Sequence, residues 1–471
     1  MVRFPLGTPI FVLLVLAFAS GAGVWTLKPA SKADLVVWCF AEAHARTYRD
    51  PFPGPGGGHV PSLARQFQLK TSKSVGIELI GQQAEDIRLV SLFMSQSQAG
   101  ADPGLCEIEI GSVGKFFRAP IDDIGLLPLN DFLNNSDEYR HILRSRFAPW
   151  SKIDPRTGRE VIFGIPDDVH PITLTYRKDL FDEAGLDPEQ AKTWSEFRAI
   201  CLKLQDYRSH HGHPTGRAME LSTTSPNHLV MMLLQRHINI VDSANRVHLA
   251  EPKVAQTVAF YASLISGAGA IGGDTDAGGG AWARDLLAGD VCAILTPDWR
   301  AGDIPEFAPG LAGKLRMMPL PRFDADDAST STAGGTMIGI PRACKDPALA
   351  WQLLEFLYLS PEARAARLAA GTSVIPPEPE LWTDPVYHQP DPFFAGQKIE
   401  ELYVSLAPQI PLRQVTPYTI QAEFALSLVL YKARAYMENH GPIGLTEQCA
   451  LWLQDAQEEL QRRIDFGKFE P

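Results

Sequence analysis

The sequence predicts an α/β protein with two domains. Short apolar runs typical of strands alternate with helical patterns through the first third of the chain, an order that indicates parallel strands and helices packed in layers. The chain has 471 residues, of which 45% are hydrophobic, so it is too long for one ordinary core. Proline (37 residues) and glycine (38 residues) separate many short elements.

Apolar periodicity places the individual elements. The run LVVWCF at 35–40 predicts the first buried strand, and Thr193 with Glu196 forms a capping-box pattern that starts a helix at Trp194. The other predicted strands are 75–80, 105–110, 161–165, 172–176, 291–295, 315–320 and 337–340. The other predicted helices are 62–69, 84–97, 180–184, 254–265, 281–287, 348–359, 361–370, 420–437 and 446–464.

Charge and the N-terminal segment narrow the class of protein. The net charge is −12, from 43 basic and 55 acidic residues, which argues against a nucleic-acid-binding surface. Arg3, followed by an apolar run at 10–18 and small residues at 17–22, is typical of an export signal. Weakly apolar sequence continues to Leu27, so an uncleaved membrane anchor is an equal alternative.

Several motif-like segments have simpler interpretations. The six cysteines form no CxxC pair, and we interpret them as small buried side chains. The loop PFPGPGGGHVP lacks the Gly-Lys-Ser/Thr ending of a phosphate loop, while HHGHP and DTDAGGG are expected to be solvated or flexible loops. Asp324, Asp326 and Asp327 are expected in a solvated linker. The sequence therefore predicts neither a metal nor a cofactor.

One short segment points to ligand binding. After the predicted strand 291–295 the chain breaks at Pro297 and presents Asp298, Trp299 and Arg300 together. An aromatic ring can stack on the C–H face of a sugar while charged groups bond its hydroxyls. The alternative is a buried tryptophan beside a surface ion pair. Binding residues often lie on loops at strand ends, so the position is compatible with both interpretations.

Several segments, taken in order, resemble one family. They are LVVWCF with Glu42 and His44 after it, ITLTYRKDLFDEAGLDP with TWSEF, LLAGDVCAILTPDWR, MMPLPRF, and TAGGTMIGIPRACKDPALAWQLLEFLYLSPEARAARLAAGTSVIPP. Over residues 34–380 the chain is similar to the extracellular solute-binding proteins of family 1, which include maltose-binding and other sugar-binding proteins of ABC importers. YRKDLFDEAGLDP joined to TWSEF is the most specific piece.

The resemblance implies an α/β, two-lobed periplasmic-binding-protein fold, with discontinuous lobes joined by a hinge and a ligand held in the cleft. The implied parts are a leader at 1–33, lobe I at 34–168 and 322–375, and lobe II at 169–321 and 376–471. The crossings between the lobes are expected near 166–171, 322–333 and 373–379.

The resemblance also implies where a ligand would bind. Asp298 and Trp299 match the aromatic exit that stacks on sugar, and the glycine pair resembles a hinge at the cleft edge. The residues expected to bind ligand are Trp38, Glu42, His44, Glu109, Ser112, Tyr176, Asp298, Trp299, Gly334 and Gly335. Trp194 is left out because in this motif it packs a helix. Aromatic faces and charged groups near predicted strand ends are what such a cleft needs.

Together these observations predict an exported protein that captures a carbohydrate and delivers it to the permease of an ABC importer. We expect a monomer in the periplasm or cell envelope, held at the membrane if the leader stays uncleaved. A membrane-tethered ligand sensor of the same fold is one alternative. A secreted glycosidase using an acid pair from Glu42, Glu109 or Asp298 is a second, although the sequence shows no catalytic constellation.

Overall fold

Two five-stranded sheets, each covered by helices, make up the two lobes of the computed structural model. It describes residues 33–54, 58–95, 103–134, 138–213, 216–275, 281–369 and 374–467. Apart from Ala33, the predicted leader lies outside these residues. Within these ranges, none of the helices combines the length and apolar character needed to cross a bilayer.

The strands and helices are numbered in chain order. The strands are β1 (Leu35–Cys39), β2 (Phe52–Pro53), β3 (His59–Val60), β4 (Val75–Leu79), β5 (Leu105–Glu109), β6 (Ser151–Ile153), β7 (Glu160–Ile162), β8 (Ile165–Pro166), β9 (Ile172–Arg177), β10 (Arg217–Glu220), β11 (Gly272–Gly273), β12 (Val291–Pro297), β13 (Leu315–Met318) and β14 (Thr336–Gly339). The α-helices are α1 (Glu42–Arg49), α2 (Leu63–Thr71), α3 (Gln82–Ser95), α4 (Ile110–Phe116), α5 (Asn130–Leu133), α6 (Lys178–Glu183), α7 (Trp194–His210), α8 (Asn227–Gln235), α9 (Pro252–Ile265), α10 (Ala281–Ala288), α11 (Asp298–Phe307), α12 (Pro347–Tyr358), α13 (Pro361–Ala369), α14 (Ile399–Leu406), α15 (Thr419–His440) and α16 (Leu445–Gly467).

Both sheets are mixed, so the expectation of parallel layers is wrong in part. The sheet of lobe I has the order β4-β1-β5-β14-β8, in which β14 is antiparallel to its neighbours. The sheet of lobe II has the order β11-β10-β12-β9-β13, in which β9 is antiparallel to its neighbours. β9 and β14 each enter one lobe directly from the other. They therefore begin at the facing edge, where the parallel strands β1, β5, β10 and β12 end.

Local sequence accounts for several elements as predicted. Thr193 Oγ1 accepts a hydrogen bond from the Glu196 backbone N–H at 3.2 Å, and Glu196 accepts one in return from the Thr193 N–H at 2.9 Å. This capping box is confirmed. Trp194 packs in the core as expected, with 1% of its surface exposed. The six cysteines are buried free thiols, which agrees with their interpretation as small core side chains.

Other local patterns were misread. Among the elements that the sequence pattern did not predict are β10 and α8, and the predicted strand 161–165 divides into β7 and β8 around Gly164. An ideal Cβ on Gly164 would lie 2.1 Å from Met337 Sδ, so the close approach of β14 requires glycine there.

The acidic segment near residue 325 is not a wholly solvated linker. Asp327 is buried at 3% exposure, and its Oδ2 accepts a hydrogen bond from the Asp324 backbone N–H at 2.8 Å. Among the described residues, Asp324, Asp326 and Asp327 are close enough to share a metal ion. Lys253 lies within 4.0 Å of all three carboxylates, so a positively charged side chain of the protein already pairs with this acidic cluster.

Within the described ranges the chain changes lobe three times. The first change joins β8 to β9, and the second joins β13 to β14. The third lies between α13 of lobe I and Ile375, which packs in the core of lobe II. A later segment, 410–418, contacts both lobes. Asn239 Nδ2 of lobe II donates to the Leu412 carbonyl at 2.8 Å, and an ideal Cβ on Gly114 of lobe I would lie 2.5 Å from the Thr416 carbonyl oxygen.

Candidate functional site

The facing edges of the two sheets carry the candidate site. β1 leads into α1 in lobe I, and β12 leads directly into α11 in lobe II. Burial raises the pKa of Asp303 on α11, and the charge of Arg46 on α1 opposes that rise. The charge of a lobe I residue therefore acts on α11 of lobe II. In α/β proteins, ligands bind at such carboxyl ends of strands.

Trp299 presents an open aromatic face at this edge of lobe II. It follows the last residue of β12 by two positions, and 41% of its surface is exposed. The indole Nε1–H donates to the Ala333 carbonyl at 3.1 Å, and the backbone N–H donates to Asp298 Oδ1 at 2.8 Å. The ring is thus held at two points while its surface remains available for stacking.

A hinge cluster of Asp168, His170 and Asp298 lies behind Trp299. His170 Nε2 is 2.9 Å from Asp168 Oδ2, and Nδ1 is 2.5 Å from Asp298 Oδ1. Burial lowers the pKa of His170, but the charges of the two aspartates outweigh it and raise the pKa to about 10. His170 is therefore a buried cation at neutral pH, and both ring nitrogens donate.

Both carboxylate oxygens of Asp298 bond to protein groups. Its side chain is fully buried, and Oδ2 accepts a hydrogen bond from the Ile375 backbone N–H at 2.7 Å. Oδ1 already contacts His170 and the Trp299 N–H. The prediction that Asp298 binds ligand directly is therefore corrected: a sequence shows that an acid ends a strand but not that distant segments occupy both of its oxygens.

The glycine pair lies where the second crossing passes Trp299. Gly334 and Gly335 have φ angles of +87° and +141°, which disfavour other residues. An ideal Cβ on Gly334 would lie 3.2 Å from Trp299 Nε1 and 3.3 Å from His170 Cδ2. The structure thus places this pair at the hinge and beside the tryptophan, while ligand contact by the pair stays a prediction.

A second buried cluster, the lobe I cluster, contains His44, Glu107 and Asp167. His44 Nδ1 lies 3.1 Å from Glu107 Oε1, and Nε2 lies 3.2 Å from Asp167 Oδ2. Tyr48 and Tyr358 also donate to Glu107 Oε1, at 2.8 Å and 3.1 Å. Burial lowers the pKa of His44, but the two carboxylates outweigh it and raise the pKa to about 9. Both nitrogens of this predicted ligand contact are therefore occupied by protein groups.

Glu109 and Ser112 lie together at the end of β5. Glu109 Oε2 accepts a hydrogen bond from the Gly111 backbone N–H at 2.7 Å and so caps α4. Ser112 Oγ donates to Asp86 Oδ2 at 2.6 Å and is 3% exposed. Burial raises the pKa of Glu109, with the charge of Arg413 opposing the rise. Of the two, the partly exposed Glu109 is better placed to meet a ligand.

Trp38 and Glu42 differ sharply in exposure. Trp38 is 7% exposed inside the apolar core of lobe I, although its Nε1 has no hydrogen-bond partner among the described residues. Glu42 is 44% exposed at the start of α1, where it pairs with Arg46 at 3.3 Å and Arg49 at 3.6 Å. Trp38 therefore packs in the core, whereas the exposed Glu42 pairs with arginines of its own helix, and ligand contact by either residue stays a prediction.

Tyr176 is far from the facing edge, so its predicted position on the cleft side is wrong. β9 enters lobe II at Ile172, which pairs with Pro297 at the cleft end of β12, whereas Tyr176 pairs with Ala293. Its hydroxyl donates to Glu189 at 2.7 Å. The error follows from strand direction, because β9 runs away from the cleft and its last residues lie at the opposite edge.

Arg300, the residue after Trp299, forms an ion pair whose acidic partner was not predicted. Arg300, which the sequence analysis noted but did not select, forms a two-pronged pair with Glu220 at 2.6 Å and 3.0 Å. Its guanidinium also lies 4.3 Å from the centre of the Trp282 ring. Glu220 ends the unpredicted strand β10, so its position at the cleft edge carried no recognisable signal.

Two further charged residues come from the C-terminal third. The charge of Arg413 opposes the burial that raises the pKa values of both Glu109 and Glu423. Glu109 belongs to lobe I, whereas Glu423 lies on α15, which packs against α9 of lobe II. The charge of Arg413 thus acts on acids of both lobes. Nothing in the local sequence distinguishes it from a solvated arginine.

The amino-acid sequence is similar to those of known binding proteins. A family model for bacterial extracellular solute-binding proteins matches residues 64–395. The arabinooligosaccharide-binding protein of Halalkalibacterium halodurans is 24% identical over 419 residues, which cover 87% of this chain and 86% of that protein. The arabinooligosaccharide-binding protein of Bacillus subtilis is 21% identical over 357 residues, or 75% of each chain.

Solved structures share the fold. The sugar-binding protein MalE of Xanthomonas citri superposes with a TM-score of 0.70 at 17% identity, covering 93% of this chain and all of that chain (100%). An ABC-transporter-associated binding protein of B. animalis subsp. lactis, solved with β-1,6-galactobiose, gives a TM-score of 0.66 at 17% identity, covering 91% of this chain and 98% of that one. The two-lobed fold predicted from the sequence is confirmed.

Proposed function

We propose that this chain, which belongs to the bacterial extracellular solute-binding protein family, captures a carbohydrate between its lobes and delivers it to an ABC importer. One observation carries the carbohydrate assignment: Trp299 holds a 41% exposed ring at the facing edge of lobe II, fixed by two hydrogen bonds. A rigid aromatic face with polar groups around it suits a polyhydroxylated ligand.

The surrounding charges supply the polar part of the site. Glu109 and Glu42 lie on the lobe I side, and Arg413 lies on the segment that contacts both lobes. Carboxylates accept and guanidinium groups donate hydrogen bonds to sugar hydroxyls. Closing the lobes would bring these groups toward Trp299 from the opposite side.

The names of the relatives support the ligand class. The two relatives described above are arabinooligosaccharide-binding proteins, and a lactose-binding protein of Rhizobium radiobacter is 24% identical over 290 residues. The family binds solutes and does not transform them, which removes the glycosidase alternative.

Three finer points belong to the same proposal. We take lobe I as 34–168 with 322–375 and lobe II as 169–321 with 376–471. We also take the protein as a monomer that docks on a permease. Because the family is extracellular, we propose export by the N-terminal leader. Mass spectrometry of the native N-terminus distinguishes cleavage, which removes about 20 residues, from retention as an anchor.

Isothermal titration tests the carbohydrate assignment. The full chain is titrated with arabinooligosaccharides, lactose, β-1,6-galactobiose and maltose, and with glycerophosphocholine as a solute of another class. We expect saturable binding of at least one saccharide. Tight binding of glycerophosphocholine with no heat from any saccharide would overturn the assignment while leaving the family unchanged.

A further inference from the structure

We propose that His170 is a positioning residue for Trp299: the buried hinge cation sets the orientation of the aromatic face that meets the ligand. The inference deepens the proposed function and rests on it for the role of Trp299. His170 itself is 5% exposed and lies behind the ring, so its effect on a ligand would be indirect.

The first step is the contact between His170 and the start of α11. Its Nδ1 lies 2.5 Å from Asp298 Oδ1, and Asp298 is the first residue of α11. The same oxygen accepts the backbone N–H of Trp299 at 2.8 Å. Movement of the Asp298 carboxylate would therefore move the backbone from which the indole projects.

The second step concerns the other end of the indole. Trp299 Nε1 donates to the Ala333 carbonyl of the second crossing. A Cβ built on the next residue, Gly334, would lie 3.2 Å from Trp299 Nε1 and 3.3 Å from His170 Cδ2. The polar end of the indole and the edge of the His170 ring therefore lie on the same side of Gly334, next to the second attachment of the tryptophan.

The third step is that the cluster joins all three crossings. Asp168 belongs to the first crossing, and its Oδ2 accepts the Thr336 N–H of the second at 3.1 Å. Asp298 Oδ2 accepts the Ile375 N–H of the third at 2.7 Å. His170 links these two carboxylates directly and has a φ of +55°, a conformation that the surrounding contacts must maintain.

Charge explains why this position needs a cation. Asp168 and Asp298 are 1% and 0% exposed, and Arg146 is a second cation beside the cluster, 3.6 Å from Asp168 Oδ1. Without the imidazolium, two buried carboxylates would lack their shared counter-charge and would separate or protonate. Either response would release the start of α11 and leave the indole less well oriented before ligand arrives.

The test compares His170→Gln with His248→Gln as a matched control. His248 also lies between two carboxylates, 3.1 Å from Asp242 and 2.9 Å from Glu251, but on the outer part of lobe II. Titration with the strongest-binding saccharide should show about tenfold weaker affinity for His170→Gln, a change of about 1.4 kcal/mol. His248→Gln should stay within about twofold of the parent protein.

Tryptophan fluorescence provides a readout that would not change if His170 only stabilised the fold. Acrylamide quenching is measured in each background with and without Trp299→Phe, so that the difference reports Trp299 alone among the nine tryptophans. We expect the Trp299 signal to change in His170→Gln and not in His248→Gln. Parent-like affinity together with parent-like quenching in folded His170→Gln would overturn the inference.

A second variant keeps the test decisive if His170→Gln does not fold. The double variant His170→Gln/Asp298→Asn removes one cation and one anion and so preserves the net charge of the cluster. It should show the same altered quenching and weakened binding. If the parent protein binds no saccharide, the proposed function fails, and the quenching comparison still decides whether His170 positions Trp299.

Discussion

Two histidines of this protein, the partly buried His44 and the buried His170, each lie between two carboxylates, yet their surroundings differ. In the lobe I cluster, Glu107 accepts hydrogen bonds from His44 and from two tyrosines. This carboxylate on β5 therefore binds side chains of α1 and α12. In the hinge cluster, His170 joins Asp168 to Asp298, and the two aspartates hold backbone N–H groups of the second and third crossings.

The difference shows how the same chemistry can serve stability or position. The partners of the lobe I cluster lie mainly in one lobe, so its interactions stabilise that lobe as a unit. The partners of the hinge cluster belong to segments that must keep their relative places when the lobes move. A buried ion pair is weak evidence for stability by itself, whereas its role in selecting one arrangement is a hypothesis that variants can test.

The largest expected effect is on the lobe I cluster. Glu107→Ala would leave the partly buried His44 without one counter-charge and would remove the acceptor of two tyrosine hydroxyls. We expect the free energy of unfolding to fall by about 3–5 kcal/mol, measured by urea denaturation followed by circular dichroism. Acrylamide quenching of Trp299 should not change. A loss below about 1 kcal/mol would contradict a stabilising role for this cluster.

Alkaline pH should weaken both clusters at different points. The pKa values of His44 and His170 are raised from 6.5 to about 9 and about 10. The stability they contribute is fully present below pH 6.5 and is lost as the pH rises through those folded-state values. Each histidine should lower the free energy of unfolding by at most about 1.4 kcal/mol per pH unit within its window.

Variants separate the two windows. In His44→Gln the free energy of unfolding should fall less steeply between pH 6.5 and about pH 9. The decline that continues to about pH 10, which comes from His170, should remain. His248→Gln serves as the control for loss of a histidine between two acids. Equal unfolding free energies of the parent protein at pH 7 and pH 9 would show that neither histidine is held as a buried cation.

Replacing Trp299 tests the ligand side of the hinge region. Trp299→Ala should weaken saccharide affinity by about 1–3 kcal/mol, because it removes the stacking face. The melting temperature should change little, since the ring is 41% exposed. Trp452→Ala is the control, because it removes another tryptophan that is not fully buried but lies on α16, away from the facing edges of the sheets. A large drop in melting temperature with normal binding by the folded fraction would instead make Trp299 a core residue.

The smallest expected effect concerns the glycine beside both groups. Gly334→Ala and Gly313→Ala each force alanine into a positive φ, +87° and +75°, at a cost of about 1 kcal/mol. A Cβ at Gly313 meets nothing within 4 Å, whereas one at Gly334 crowds Trp299 and His170. Only Gly334→Ala should therefore also change Trp299 quenching. Identical quenching in the two variants would separate the glycine from the positioning of the indole.

The sequence predicted the elements more fully than the site. Helices and strands with clear periodicity, such as α9 and β12, have nearly their predicted bounds. Trp299, which was predicted to stack on a ligand at a strand exit, is exposed there, and its contact with a ligand stays a prediction. His170 was not selected, because its importance comes from Asp298, a residue far away in the chain. Tyr176 was misplaced because periodicity reveals a strand but not its direction.

By itself, the sequence determined the α/β class, the capping box at Thr193, the strand that delivers Trp299 and the family resemblance, since these depend on neighbours along the chain. The tertiary structure alone decided that Asp298 faces inward to His170 and that β9 runs away from the cleft. It also decided that the charge of Arg413 acts on acids of both lobes. The physical reason is that burial and counter-charge are properties of segments brought together in space, and a local pattern does not contain them.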